Sequence, residues 1–143
     1  MNLSPVNYAE MCKQLAQISA LVAGFSFAFI SVLITSTSGK RITNWVIGFS
    51  IASIAGFLIC ALTWTLNASR MSIYIQEEVK SIPAVFISLH RILSLIFTLS
   101  FFLFFITLGL TGWIRSKKLG IVSSAISLSA SLFFIYLLTS FIS

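Results

Sequence analysis

The sequence predicts an all-α polytopic membrane protein, four transmembrane helices arranged as two antiparallel hairpins with a longer amphipathic loop between the second and third spans. Three observations carry that reading. Four uncharged runs, Gln14–Gly39, Ile42–Ser69, Ile92–Ile114 and Leu119–Ser143, hold most of the chain, and every Lys, Arg, Asp and Glu lies outside them. A helix of roughly 20 apolar residues crosses a hydrocarbon core of about 30 Å, and without water to bond exposed amides a helix is the only local solution for such a run. Composition agrees: 8% of the residues are charged and 58% hydrophobic, against about 25% and 45–50% in an ordinary soluble domain. The gaps between the runs supply the third observation, because two are short enough to allow only a hairpin and one is long. Residues 1–143 are expected to form a single four-helix transmembrane domain.

The elements follow in order. Residues 1–14 form a lead-in in which Ser4-Pro5 or Asn7 starts a helix and Tyr8 is an interfacial ring. The first span is expected at Leu15–Ser36; Glu10 precedes it and the run is too long for a cleaved leader, so it reads as a retained helix. Thr37-Ser38-Gly39-Lys40-Arg41 then makes a turn with a glycine near the helix end. The second span, Trp45–Asn67, has Trp45 as one interfacial anchor and Trp64 near the opposite boundary. Between the second and third spans, Ile75, Val79, Ile82, Phe86 and Leu89 recur at helical spacing. Pro83 divides that stretch, which predicts a short surface helix before it and a second helix running from it into the third span, Ile92–Trp113. Arg115-Ser116-Lys117-Lys118 is a tight basic hairpin into the fourth span, Leu119–Phe141, and an even number of crossings puts both termini on one side.

Charge and reactive residues exclude several classes. The net charge of +6 sits in flanks and caps rather than on a soluble stripe, so the partner it implies is the lipid bilayer and not nucleic acid. Lys40, Arg41, Arg115, Lys117 and Lys118 share one side and Lys13, Arg70, Lys80 and Arg91 the other, a balance that leaves orientation undetermined. Coupled carriers and pumps place ionisable groups inside the membrane, and none lies within the four cores. Cys12 and Cys60 have no metal or disulfide spacing and read as structural. Glu77 and Glu78 diverge by about 100° on a helix, and His90 lacks a nucleophile at defined spacing, reading instead as an interfacial basic pair with Arg91. No enzyme activity, cofactor or metal is expected.

The helix faces are more specific. Ala16, Ala20, Gly24 and Ala28 in span one, and Gly48, Ala52, Gly56 and Cys60 in span two, recur at intervals of four. Such small-residue seams let membrane helices approach, and these are expected to pack against each other or a neighbouring protomer. Ser123, Ser124, Ser127, Ser129 and Ser131 in span four are expected to bond back to their own helix or across to another. Phe97, Phe101, Phe102, Phe104 and Phe105 make span three bulky all round and predict that it sits furthest out.

The stretch Ser19-Ala20-Leu21-Val22-Ala23-Gly24-Phe25-Ser26-Phe27-Ala28 resembles the start of the first, pore-lining helix of the Orai calcium-channel family, sharing its serine-alanine-leucine and glycine-phenylalanine elements. Lys13 falls where that family has a basic pore residue. The family's selectivity glutamate falls at Val32 and its innermost basic position at Gln17, and its long C-terminal coupling helix has no counterpart. The resemblance therefore implies an oligomeric architecture and not calcium selectivity. Two functional readings follow. In one, copies self-associate around span one, with Gln14, Gln17, Leu21, Phe25, Ala28 and Val32 lining an axis and the apolar rings gating by dewetting. In the other, the chain is a non-conducting interaction subunit or inhibitor that meets a protein partner through loop 2–3.

Overall fold

A computed structural model describes residues 4–36, 41–76 and 81–142; the side chains of residues 35, 36, 41, 138, 141 and 142 are not described. Four helices make up the described chain: α1 Pro5–Ser36, α2 Arg41–Gln76, α3 Ala84–Arg115 and α4 Lys117–Ile142. Each contains a segment long and apolar enough to cross a membrane. The chain is thus an all-α, multi-pass membrane protein. The expected turn at Thr37-Ser38-Gly39-Lys40 lies outside the described residues, as do Glu77, Glu78, Val79 and Lys80 of loop 2–3.

The helix starts follow local chemistry. Ser4 caps α1, its hydroxyl accepting from the Asn7 amide at 3.2 Å while its carbonyl accepts from Tyr8 at 3.0 Å. Pro5 then takes the first helical position, where its missing N–H costs nothing. Ser116 repeats the device for α4, accepting the Leu119 amide at 3.2 Å on its hydroxyl and the Gly120 amide at 2.9 Å on its carbonyl. Ser116 is the only residue between α3 and α4. Pro83 sits before α3, and the Phe86 amide donates to its carbonyl at 3.0 Å.

Helix α1 starts at Pro5, at the first of the two expected helix starts, and runs unbroken into span one. One expectation is corrected: α2 continues past Asn67 to Gln76 in place of a separate surface helix. Nothing in Ala68–Gln76 breaks a helix, and Ser72 donates back to the Ala68 carbonyl at 2.9 Å within it; the next proline along the chain is Pro83. The lead-in and the start of loop 2–3 are therefore helical, continuous with the helices of spans one and two.

The chain divides into two compact units, one of Met1–Phe25 and Ile54–Leu99, the other of Ser26–Ser53 and Ser100–Ser143. In the first unit, α1, α2 and α3 enclose Tyr8, Cys12, Ala16, Cys60, Trp64, Met71, Phe86 and Leu93. Trp64 is 1% exposed and lies at 5.3 Å, centroid to centroid, from Phe97. It is a core residue, not a boundary anchor, because α2 does not end near it. Tyr8 is likewise buried, its hydroxyl donating to the Phe86 carbonyl at 3.0 Å. Trp45, by contrast, is exposed and stacks on Phe49. Cys12 and Cys60 are free and buried, and the Cys60 thiol donates to Leu93 O at 3.5 Å.

In the second unit, the α3–α4 hairpin is held by serine hydroxyls on backbone carbonyls. Ser123 and Ser124 donate to Gly109 O at 2.8 and 3.2 Å, Ser127 donates to Phe105 O, and Trp113 Nε1 donates to Ser124 Oγ at 3.0 Å. Three of the five serines of span four thus bond across to a neighbouring helix; Ser131 bonds back to Ser127 O, and Ser129 is exposed. Phe134 of α4 packs against Phe101, Phe102 and Phe105. Leu33, Val46 and Ile114 form a smaller cluster with Phe29 and Leu110. The expectation that span three is the outermost does not hold. Its phenylalanines are half-buried, and α4 has the smallest buried share of its membrane segment, 11%, against 22% for α3 and 39% for α2.

Candidate functional site

A helix turns about 100° per residue, so spacing decides which faces persist. On α1 the buried positions Cys12, Ala16, Ser19, Ala23, Ser26, Ile30 and Leu33 alternate steps of four and three. On α2, Thr43, Val46, Ser50, Ser53, Phe57, Cys60, Trp64, Asn67 and Met71 do the same. On α3, Phe86, Leu93, Ser100, Thr107 and Ile114 recur every seven residues. A seven-residue period keeps one seam turned to its neighbours as helices wrap left-handedly. The seam is rich in small polar side chains: Ser53 donates to the Ser100 carbonyl at 2.8 Å inside the second unit.

The predicted pore-lining set lies on the opposite face of α1. Gln14, Gln17, Leu21, Phe25, Ala28 and Val32 are all exposed, Leu21 to 60%, Phe25 to 67% and Val32 to 66%. Their steps of three and four hold them to one side of the helix, as the spacing predicts. The chain itself covers none of them enough to bury it.

The small-residue seams behave differently from the packing expected within one chain. Ala16 and Cys60 are buried in the first unit's core, but Ala20, Gly24, Ala28, Gly48 and Ala52 are exposed and Gly56 is half-buried. A Cβ added at Gly24 or Gly48 would meet nothing within 4 Å. The reason is geometric: a strict four-residue step advances about 40° beyond a full turn each time, so the seam walks off the buried stripe. Among Gly24, Gly48, Gly109, Gly112 and Gly120, the close contacts are instead in the α3–α4 hairpin. A Cβ at Gly112 would overlap the Leu119 carbonyl and the Ser123 hydroxyl, and one at Gly120 would stand 2.5–2.8 Å from ring atoms of Trp113.

A groove opens between α1 and α2 in the first unit, with a volume of about 530 Å³ and walls that include Lys13, Gln17 and Ala20 of α1 and Leu58, Leu62, Ser69 and Ser72 of α2. Gln17 and Ala20 therefore border both the groove and the outward face. Lys13 is 3.7 Å from Glu10, one turn away, with both side chains more than half exposed. An ion pair so exposed contributes little.

His90 does not pair with Arg91 at the surface. It is half-buried, its ring 5.8 Å from Tyr8 and 6.1 Å from Trp64, while Arg91 is exposed. His90 lies four residues after Phe86 and three before Leu93, on the face that α3 buries. Its Nδ1, with Trp64 Nε1 and Asn67 Nδ2, is a buried polar atom without a hydrogen-bond partner. Sequence reasoning missed this inward cluster because Trp64 lies near the end of one apolar run and His90 just before another, where interfacial roles are the usual ones. The seven-residue spacing from Phe86 to Ile114 was the available signal. Among the described residues no group of three or more His, Cys, Asp or Glu side chains is placed to hold a metal ion.

No protein-family model, curated protein or solved structure matches the chain.

Proposed function

We propose that this membrane protein works as a homo-oligomer with α1 at its centre, forming an ion-conducting pore without calcium selectivity. The supporting observation is the exposed face of Gln14, Gln17, Leu21, Phe25, Ala28 and Val32, which lies opposite the stripe that α1 buries. In a ring of copies that face borders the axis. Gln14 and Gln17 give a polar mouth, and Leu21, Phe25 and Val32 give successive apolar rings that exclude water from a narrow passage. Ala20 and Gly24, exposed beside that face, allow neighbouring α1 helices to approach closely. The Orai-like stretch Ser19–Ala28 supports the same oligomeric plan, and Val32 in place of a selectivity carboxylate argues against calcium preference.

The test is ion flux from liposomes carrying the purified protein, together with its oligomer mass in detergent. A hydrophobic ring gates by dewetting, so Phe25→Ser should wet it and raise the leak above wild type. If the protein stays folded and oligomeric and neither form conducts, the pore reading fails and a non-conducting interaction subunit takes its place.

A further inference from the structure

We infer that the α1–α2 groove is a phospholipid site, with the lipid phosphate at Lys13 and an acyl chain lying between the helices. The groove is zoned. Helices α1 and α2 run antiparallel, so Lys13 stands beside Ser69 and Ser72 at one end, and Ala20 beside Leu58 and Leu62 at the other. Lys13 and Ser72 fall just outside the uncharged runs Gln14–Gly39 and Ile42–Ser69, and Ser69 is the last residue of the second, which puts this end of the groove towards the lipid headgroups. Ala20, Leu58 and Leu62 fall inside those runs, at the level of the hydrocarbon. That order, a cation and hydroxyls followed by carbon, is the order of a glycerophospholipid read from its headgroup inward.

Volume and charge point the same way. About 530 Å³ is within the range of sites that hold small ligands, roughly 300–1,000 Å³. A basic side chain near the membrane surface attracts an anionic headgroup by about the amount that separates a fivefold difference in affinity. The Lys13–Glu10 contact is long and exposed, and an ammonium has further donors to offer a phosphate. A helix from a second copy fits less well, since it would set an uncharged membrane run against Lys13. The site is separate from the outward face that the pore reading uses, apart from the shared border at Gln17 and Ala20.

The experiment uses the full chain, delipidated in a neutral detergent and titrated with phosphatidylglycerol, with diacylglycerol and with inorganic phosphate. Bound lipid is counted by native mass spectrometry, and the unfolding midpoint and oligomer mass are followed alongside. Phosphatidylglycerol should bind saturably and raise the midpoint, diacylglycerol should bind more weakly, and phosphate alone should do neither. Lys13→Gln, at an exposed position, should weaken phosphatidylglycerol about fivefold and leave diacylglycerol unchanged. Ala20→Phe, which fills the groove from an exposed position, should abolish saturable binding of both. The inference is overturned by an Ala20→Phe variant that binds both lipids like wild type, by a Lys13→Gln variant with undiminished preference for the phosphate, or by phosphate reproducing the stabilisation. It is also overturned if Ala20→Phe changes the oligomer mass and leaves lipid binding intact, which would make a second copy the occupant.

Discussion

At Gly112 a single added carbon would press on the Leu119 carbonyl, which is backbone and cannot rotate away, and on the Ser123 hydroxyl. Overpacking of that kind costs about 1–3 kcal/mol. Gly112→Ala should therefore lower stability measurably in thermal or denaturant unfolding, whereas Gly24→Ala, with open space at its Cβ, should not lower the stability of the isolated chain; equal losses at both would contradict the hairpin packing. Tyr8 offers a second comparison. Its hydroxyl donates to Phe86 O in a buried setting, so Tyr8→Phe should cost about 1 kcal/mol while keeping the ring contacts. An unchanged unfolding midpoint would mean that this bond does not hold the start of α1 to α3. That Gln14, Gln17, Leu21, Phe25, Ala28 and Val32 share one face of α1 was legible because spacing alone sets it; that the face is exposed is the structure's addition. Trp64 and His90 were not legible, because inward placement depended on how far α2 extends and on which side α3 meets the core.

The buried stripes mix small polar side chains with bulky ones such as Phe57, Trp64 and Met71, and large apolar side chains also face outward. Ser19, Ser26, Ser50, Ser53, Ser100 and Thr107 are buried, while Leu21, Phe25, Leu62, Leu95 and Leu99 are exposed. In lipid no hydrophobic force drives helices together, so close approach and hydrogen bonds select the contact face. Hydropathy therefore located the spans and could not rank their faces. The continuous α2 makes a direct prediction: Arg70, exposed and well inside it, should not tolerate proline. Arg70→Pro removes one helical bond and introduces a clash, at about 3 kcal/mol, and should reduce helicity and stability together. Had a separate surface helix begun just after Asn67, proline in its first turn would have been tolerated; retained helicity in the variant would favour that alternative.

For the whole molecule, four crossings would put both ends of the chain on the same side of the membrane, which labelling can test. Cys12 and Cys60 are buried, so cysteines introduced at the exposed Ser4 and Ser140 should react with an impermeant thiol reagent from the same side of sealed vesicles; labelling from opposite sides would remove one of the four crossings. The number of spans, their approximate places, a helix start at Ser4-Pro5 or Asn7, the break at Pro83 and the tight basic hairpin at Ser116 were determined by the sequence alone. Each depends on local physics: apolar length against bilayer thickness, and the fit of serine and proline to helix starts. Which faces meet depended on the tertiary structure. It turned the small-residue seams of Gly24 and Gly48 outward, brought Gly112 and Gly120 into close contact, drew Trp64 and His90 inward and left α4 the least covered. Those outcomes depend on the relative rotation of helices, and a hydropathy pattern nearly uniform around each helix carries too little directional information to fix it.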